Sequence, residues 1–341
     1  MIFELNDTSK VEKLFANQVD SMVTSCLQKM MDSKIYVTDL ENPKSAMTHL
    51  AEFAFFAGEP DRELASFKPR GVVGMMPCSE AWAKLIEECQ PDADKVTRYA
   101  IKKDTKFNRA NLERLVAALP EGYEIRRIDG DLYDKCMEID DFEDGVCHFG
   151  SKEAYLKQGR GFVALKDGEP VSMASSYTVY REGIEIEVDT LDEERRKGLA
   201  SAVCAALILS CLDDGLYPSW DAANMNSVHL AEKLGYEFSH EYPCYWLDAL
   251  LDDVVKDPDK TNWPAFCGRY ELPIKDHRVY EVSLKDGDLR LRFVNTEGKP
   301  MDLKLYPLDK GAFGLLWGDD RIAFTPDAMV LDGEVVCPKL S

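Results

Sequence analysis

Two stretches hold residues whose type and spacing could do chemistry. In "EERRKGLASAVCAALI", Glu193 to Ile208, three cations (Arg195, Arg196 and Lys197) stand before Gly198 and an almost wholly apolar run. A run of that kind forms a buried helix, and its first amides, at Leu199 and Ala200, have no partner within the helix. Glycine at 198 and the small Ala200 let a ligand approach the backbone closely. The exposed amides and the helix dipole then favour an anion, so the stretch reads as a seat for phosphate or as a charged helix entry. The second stretch is "IEIEVDT", where strand alternation puts Ile184, Ile186 and Val188 on one face and Glu185, Glu187 and Asp189 on the other. Carboxylates on a central strand must be paired or functional, which makes Glu187 and Glu185 candidate general bases. A sheet face partly open to water would carry them equally well.

Further along comes Asn224-x-x-Ser227-x-x-Leu230-Ala231-Glu232-Lys233-Leu234-Gly235-Tyr236. This resembles the GNAT acyltransferase signature N-x-x-A-x-x-L-Y-x-K-x-G-F, and Arg195-x-x-Gly198-x-Ala200 resembles the family's Q/R-x-x-G-x-G/A motif. The two occur in the family's order and spacing. "PSWDAANMNSVHLAEKLGY" is also similar to a bacterial subgroup with an N-terminal α/β extension. The resemblance covers roughly Met1 to Trp246.

The resemblance implies acetyl-CoA as acyl donor and a small-molecule amine as acceptor. The pyrophosphate would lie on Gly198, Leu199 and Ala200, with charge from Arg195, Arg196 and Lys197. The pantetheine arm would pair like an extra strand with Val188, Asp189 and Thr190, opposite Asn224 and Ser227. Asn224 is equally a good helix cap. The sequence departs from the family at Ala231, where many members carry a tyrosine that protonates the leaving thiolate. Ser227, Cys244, Tyr245 or water are the substitutes. An acyl-CoA-binding sensor with little activity is the alternative function.

The elements that must position these residues read as an α+β fold. Residues 1–119 form an N-terminal α/β extension with helices at "VDSMVTSCLQKMM", "SEAWAKLIEEC" and "NRANLERLVAAL", which resembles a degenerate acyltransferase lobe. Residues 120–254 form the acetyltransferase domain. Its strand "YEIRRID" and a three-strand antiparallel meander with a turn at Asp167-Gly168 precede the order α-β-α-β. Residues 259–341, with short alternating strands between turns, form a small all-β domain.

Composition limits the partners. The 341 residues carry 62 acids against 41 Lys and Arg, a net charge of −21. So acidic a chain offers nothing to replace counterions on nucleic acid or an anionic membrane, and it favours a cationic acceptor. The ten cysteines form no C-x-x-C pair and the five histidines are scattered, so no metal is expected. The first residues lack a signal-peptide pattern and no apolar run reaches about 18 residues. A cytoplasmic protein is expected; the oligomeric state is open.

Overall fold

The computed structural model describes residues 1–16, 18, 20–69, 71–247, 254–255, 258–273, 278–285, 287–294, 300–308, 311–315, 321–333 and 335–340. These form two compact units, Met1–Phe67 with Gly74–Trp246, and Lys68–Val73 with Leu247–Ser341. Among the described residues, no helix is long and apolar enough to cross a membrane.

The first unit opens with β1 (Phe3–Glu4), α1 (Ser21–Gln28), β2 (Ser33–Val37), β3 (Ser45–Leu50) and β4 (Phe53–Gly58). It continues through α2 (Arg62–Ser66), β5 (Gly74–Met76), α3 (Glu80–Cys89), β6 (Asp94–Ile101) and α4 (Arg109–Ala117). Then follow β7 (Tyr123–Arg127), α5 (Gly130–Met137), α6 (Asp140–Glu143) and α7 (Lys152–Gln158). The meander is β8 (Gly161–Lys166), β9 (Glu169–Tyr180) and β10 (Gly183–Thr190). Last come α8 (Leu199–Asp213), β11 (Tyr217–Ser219), β12 (Asp221–Ala222), α9 (Met225–Leu234) and β13 (Phe238–Trp246). The expected helices and meander are all present. The sequence reading assigns no element to Asp94–Ile101, because its charged residues mask the alternation.

Most helices begin on a polar cap. Asp20, Asp61, Ser79, Asn108, Asp129, Ser151 and Asn224 each accept a first-turn amide with the side chain. α8 is different: its cap is Gly198, at φ 88°, with no side-chain hydrogen bond. The helix itself is buried on nearly every side, with Leu199, Val203, Cys204, Leu207, Ile208 and Cys211 at 1% exposure or less. Ile184 and Ile186 of β10 belong to the same core, so the opposite face of β10 carries its carboxylates.

Two sheets share one stretch of chain. One sheet runs β11-β10-β9-β8-β7, and the other β1-β2-β3-β4-β5-β13-β6-β12. β11 runs parallel to β10 from Gly183–Tyr217 to Glu185–Ser219. One residue later the chain has crossed to the other sheet, where Asp221 and Ala222 pair with Ala100 and Tyr99 of β6. β6 lies between β12 and β13, so chain from before and after residue 120 interlocks in one sheet. From Ile186 to Thr190, β10 pairs with β9 alone among the described residues.

The junction is held by a half-buried ion pair. Arg98 of β6 donates from Nε to Asp221 Oδ1 at 2.8 Å, and the Tyr242 hydroxyl donates to Oδ2 at 2.7 Å. The side chains of Arg98 and Asp221 are 13% and 18% exposed.

Among its described residues the second unit is antiparallel β with one helical turn, α10 (Trp263–Phe266). Its strands are β14 (Gly268–Glu271), β15 (Val279–Lys285), β16 (Asp288–Val294), β17 (Pro300–Lys304) and β18 (Tyr306–Pro307). They continue as β19 (Phe313–Gly314), β20 (Ile322–Phe324), β21 (Ala328–Leu331) and β22 (Val335–Leu340). The order is β17-β16-β15-β14-β22-β21-β20-β19-β18 around a core that includes Trp263, Tyr270, Leu289, Phe313 and Met329. The E-G turn expected at Glu297-Gly298 lies outside the described residues.

Removing one partner of a buried pair leaves the other charge uncompensated. Asp221→Ala is therefore expected to destabilise the first unit by about 3 kcal/mol, read by denaturant melts.

Candidate active site

The gap between β10 and β12 opens into a cavity of about 820 Å³. The residues expected to act as base or to hold the acyl donor line it except Lys197, that is Glu185, Glu187, Val188, Asp189, Thr190, Arg195, Arg196, Gly198, Leu199, Ala200, Asn224 and Ser227. Lys197 turns away to pair with Glu194 at 2.7 Å. Glu194 also takes hydrogen bonds from Lys166 and Tyr123, and these cationic and phenolic donors hold its carboxyl down at about 2.

At the α8 end the wall is backbone and cation. Gly198 has positive φ, which other residues adopt only with strain, and a Cβ there would meet nothing within 4 Å. The space before the uncapped amides is thus open, as an anion seat requires. Arg195 donates from Nε to the Thr190 carbonyl at 2.9 Å and pairs with Asp192 at 2.8 Å. Arg196, also at positive φ (64°), is exposed and pairs with no carboxylate among the described residues. Asn224 caps α9 by accepting from the Ser227 amide at 3.1 Å, and Ser227 Oγ accepts from the Trp220 indole at 3.1 Å.

The other part of the cavity is acidic. Glu185, at 7% exposure, takes a hydrogen bond from the Ser21 hydroxyl and lies 3.6 Å from Lys103. Burial pushes its carboxyl up to about 7 against the pull of Lys103. Glu187 also stands at about 7, raised by burial and by Asp144, Asp189 and Glu52, and among the described residues no cation pairs with it. Among the described residues its one hydrogen bond is from the neighbouring Val188 amide at 3.2 Å. A carboxylate so placed suits a base working near neutral pH.

The sequence gives no sign of several other wall residues. Glu52 stands just before β4 and is raised to about 7 by burial and Asp144. Tyr177 is the extra residue of a β-bulge in β9, opposite Glu185 and Ile186, and the bulge aims its ring into the cavity. It is 5% exposed, and its hydroxyl has no hydrogen-bond partner. The nearby His148 ring packs on it edge-on at 4.4 Å. Burial lowers the His148 pKa, and Asp144 opposes the shift. Asp144, Cys147 and His148 bring potential ligand atoms within 4.8 Å of one another, although no metal is expected from the sequence. Burial pushes the Cys147 thiol up to about 12.

Of the hydroxyl and thiol groups considered in place of a tyrosine at 231, only Ser227 reaches the cavity. The Tyr245 hydroxyl donates to Glu87 at 2.7 Å, and Cys244 is wholly buried with its thiol pushed up to about 12. Ala231 is itself fully buried in the α8 core.

This arrangement, a meander, a splayed strand pair and an uncapped helix start at the gap, is that of an acyltransferase fold. The GNAT acetyltransferase family matches residues 12–245, and the chain belongs to that family. It is 26% identical over 242 residues to the uncharacterized N-acetyltransferase YdfB of Bacillus subtilis (strain 168), covering 66% of this chain and 90% of that protein. A GCN5-related N-acetyltransferase-like protein from Streptococcus suis 89/1591 has a crystal structure that superposes with a TM-score of 0.67 at 42% identity. That match covers 70% of this chain and 98% of the other.

A carboxyl raised from 4.5 to about 7 on folding holds its proton more tightly in the native state. Its contribution to stability is full below pH 4.5 and is lost as pH rises through 7. Glu187→Gln should therefore be more stable than the parent at pH 8, by up to about 3 kcal/mol, with the difference shrinking towards pH 4.5. Paired thermal melts across that range check the sign.

Proposed function

We propose that the chain transfers the acetyl group of acetyl-CoA to the nitrogen of an amine, with Glu187 as general base. The observation that carries the reading is the pairing, in one cavity, of an open uncapped helix start with an unpaired carboxylate raised to about 7. We place catalysis in residues 120–254, with the extension (1–119) walling the acceptor side.

Acetyl-CoA supplies an activated thioester carbonyl. The residues here fit it: the amides of Leu199 and Ala200 face open space for the pyrophosphate, and Arg195 and Arg196 bring positive charge to that wall. The free edge of Val188, Asp189 and Thr190 offers backbone partners to the pantetheine amides, with Asn224 and Ser227 across the gap. Glu187 takes a proton from the acceptor ammonium, directly or through water. The freed nitrogen then forms its bond to the carbonyl carbon as the carbon–sulfur bond breaks, and the sulfur leaves with a proton. Glu185, committed to Lys103 and Ser21, is the weaker base. Ser227 is the hydroxyl positioned on the cavity wall to return the proton, in the absence of a tyrosine at 231.

The cavity's acidic part supports a cationic acceptor. All ten cysteines are free, which supports a reducing, cytoplasmic setting. The burial of Ala231 favours a second reading, an acyl-CoA sensor. Tight acetyl-CoA binding with no thiol release across a panel of amines would select it.

Gly198→Asp puts a side chain and a negative charge into the proposed pyrophosphate seat. Calorimetry should show acetyl-CoA binding abolished in a variant that remains folded, and unchanged affinity would overturn the seat. Glu187→Gln should lower kcat by about 10²-fold or more, with acetyl-CoA affinity retained. A variant with unaltered kcat would remove Glu187 from its role.

A further inference from the structure

Eight carboxylates and four cationic side chains line the cavity, and the eight are not alike. Five are held by the protein itself. Asp20 caps α1, Asp221 holds Arg98, Glu194 holds Lys166 and Lys197, Asp189 takes Arg195 at 3.5 Å, and Glu185 faces Lys103. The remaining three are Glu52, Asp144 and Glu187. None of them has a cation within ion-pairing distance among the described residues. They are nonetheless neighbours on one wall: Asp144 lies close enough to raise both Glu52 and Glu187, and the field of all three reaches Tyr177.

The second observation is the Tyr177 hydroxyl. It is buried and without a hydrogen-bond partner among the described residues, and its side chain lines the cavity with those three acids. A buried hydroxyl left unpaired is costly, and one aimed into a cavity is open to a ligand that satisfies it. The adjoining wall is aromatic. Phe53 meets Tyr177 edge-on at 6.3 Å and Trp246 at a tilt at 5.6 Å. The guanidinium of Arg98 stands 5.3 Å over the Phe53 ring, so this wall already accommodates positive charge.

We infer that the acceptor is a primary amine bearing a second cationic centre, an aliphatic diamine or longer polyamine, whose remote ammonium is held by Glu52 and Asp144 beside the Tyr177 hydroxyl. The inference rests on the amine-acetylation reading above. A monoamine would answer only Glu187, which becomes neutral when it takes the proton. Glu52 and Asp144 would then be left with no ion-pair partner among the described residues, Arg98 acting on Glu52 only at longer range. A second ammonium supplies that partner, donates to the carboxylates and the phenol oxygen, and lays its methylene chain along Phe53 and Trp246. A neutral or acidic acceptor does none of this.

The test is steady-state acetyl transfer to diaminobutane and to butylamine, with the full chain, for the parent and for Glu52→Gln and Asp144→Asn. Circular dichroism and thermal melts confirm the fold of each variant. The parent should favour the diamine in kcat/KM by about tenfold or more, and either variant should reduce that ratio about tenfold. Equal kcat/KM for the two amines, or a ratio unmoved by both variants, overturns the inference while leaving amine acetylation in place. A preference that vanishes when the protein is stripped with a chelator puts a metal between the carboxylates and also overturns it. Calorimetry of diaminobutane alone separates the two readings. Binding that the Glu52 and Asp144 variants lose, without transfer to any amine, supports the cation site and overturns acetylation.

Discussion

Everything at this site depends on one strand that serves two sheets. Residues 217–219 complete the meander beside β10, and residues 221–222 pair with β6. A strand cannot pair with both neighbours over its whole length, so β10 keeps a free edge from Ile186 onward. Free backbone in the middle of a sheet is costly unless something answers it. The structure tolerates the gap because Arg98 and Tyr242 pin Asp221 to the second sheet, and because α8 fills the other side of β10 with apolar bulk. The cavity is therefore a consequence of topology, maintained by a polar anchor on one flank and by core packing on the other.

The same divergence sorts the charges. β10 alternates, so its aliphatic residues enter the α8 core and its carboxylates enter the gap. Cations gather where α8 begins, and the unpaired acids Glu52, Asp144 and Glu187 line another part of the wall. The cost of this division is visible in three carboxyls, Glu52, Glu185 and Glu187, raised to about 7 by burial first and by neighbouring carboxylates second. Such groups destabilise the native state above neutrality, and a fold retains them where proton transfer or cation binding uses them. The fixed pairs around them, Glu194 with its three donors and Glu185 with Lys103, show that the chain can neutralise an acid where neutrality is what the wall needs.

How much of this was legible follows from what is local in sequence. The Arg195–Ala200 and Asn224–Tyr236 motifs lie within single helix starts, so their composition already describes the local geometry the structure shows. The meander was equally readable from its turns and alternation. Glu52, Asp144 and Tyr177 were not, because they come from a loop, a helix end and a bulge that meet only in three dimensions. β6 was missed for a related reason. Arg98 reads as surface charge until Asp221, 123 residues away, is placed against it. A bulge has no signature in a run such as "SYTVY", although it is what turns Tyr177 inward.

Ala231 shows the same logic from the apolar side. Taken as a motif position, it looks like a lost acid. In the fold it is fully buried in the cluster that holds Trp220, Tyr236 and the α8 core. A tyrosine there would have to find space for a ring in a close-packed interior, where even one added methylene is felt. Trp220 occupies that neighbourhood instead and spends its indole N–H on Ser227, across the α9 start. Packing at 231 and the hydroxyl at 227 thus meet in one cluster: Trp220, buried with Ala231, positions through its indole a serine on the cavity wall.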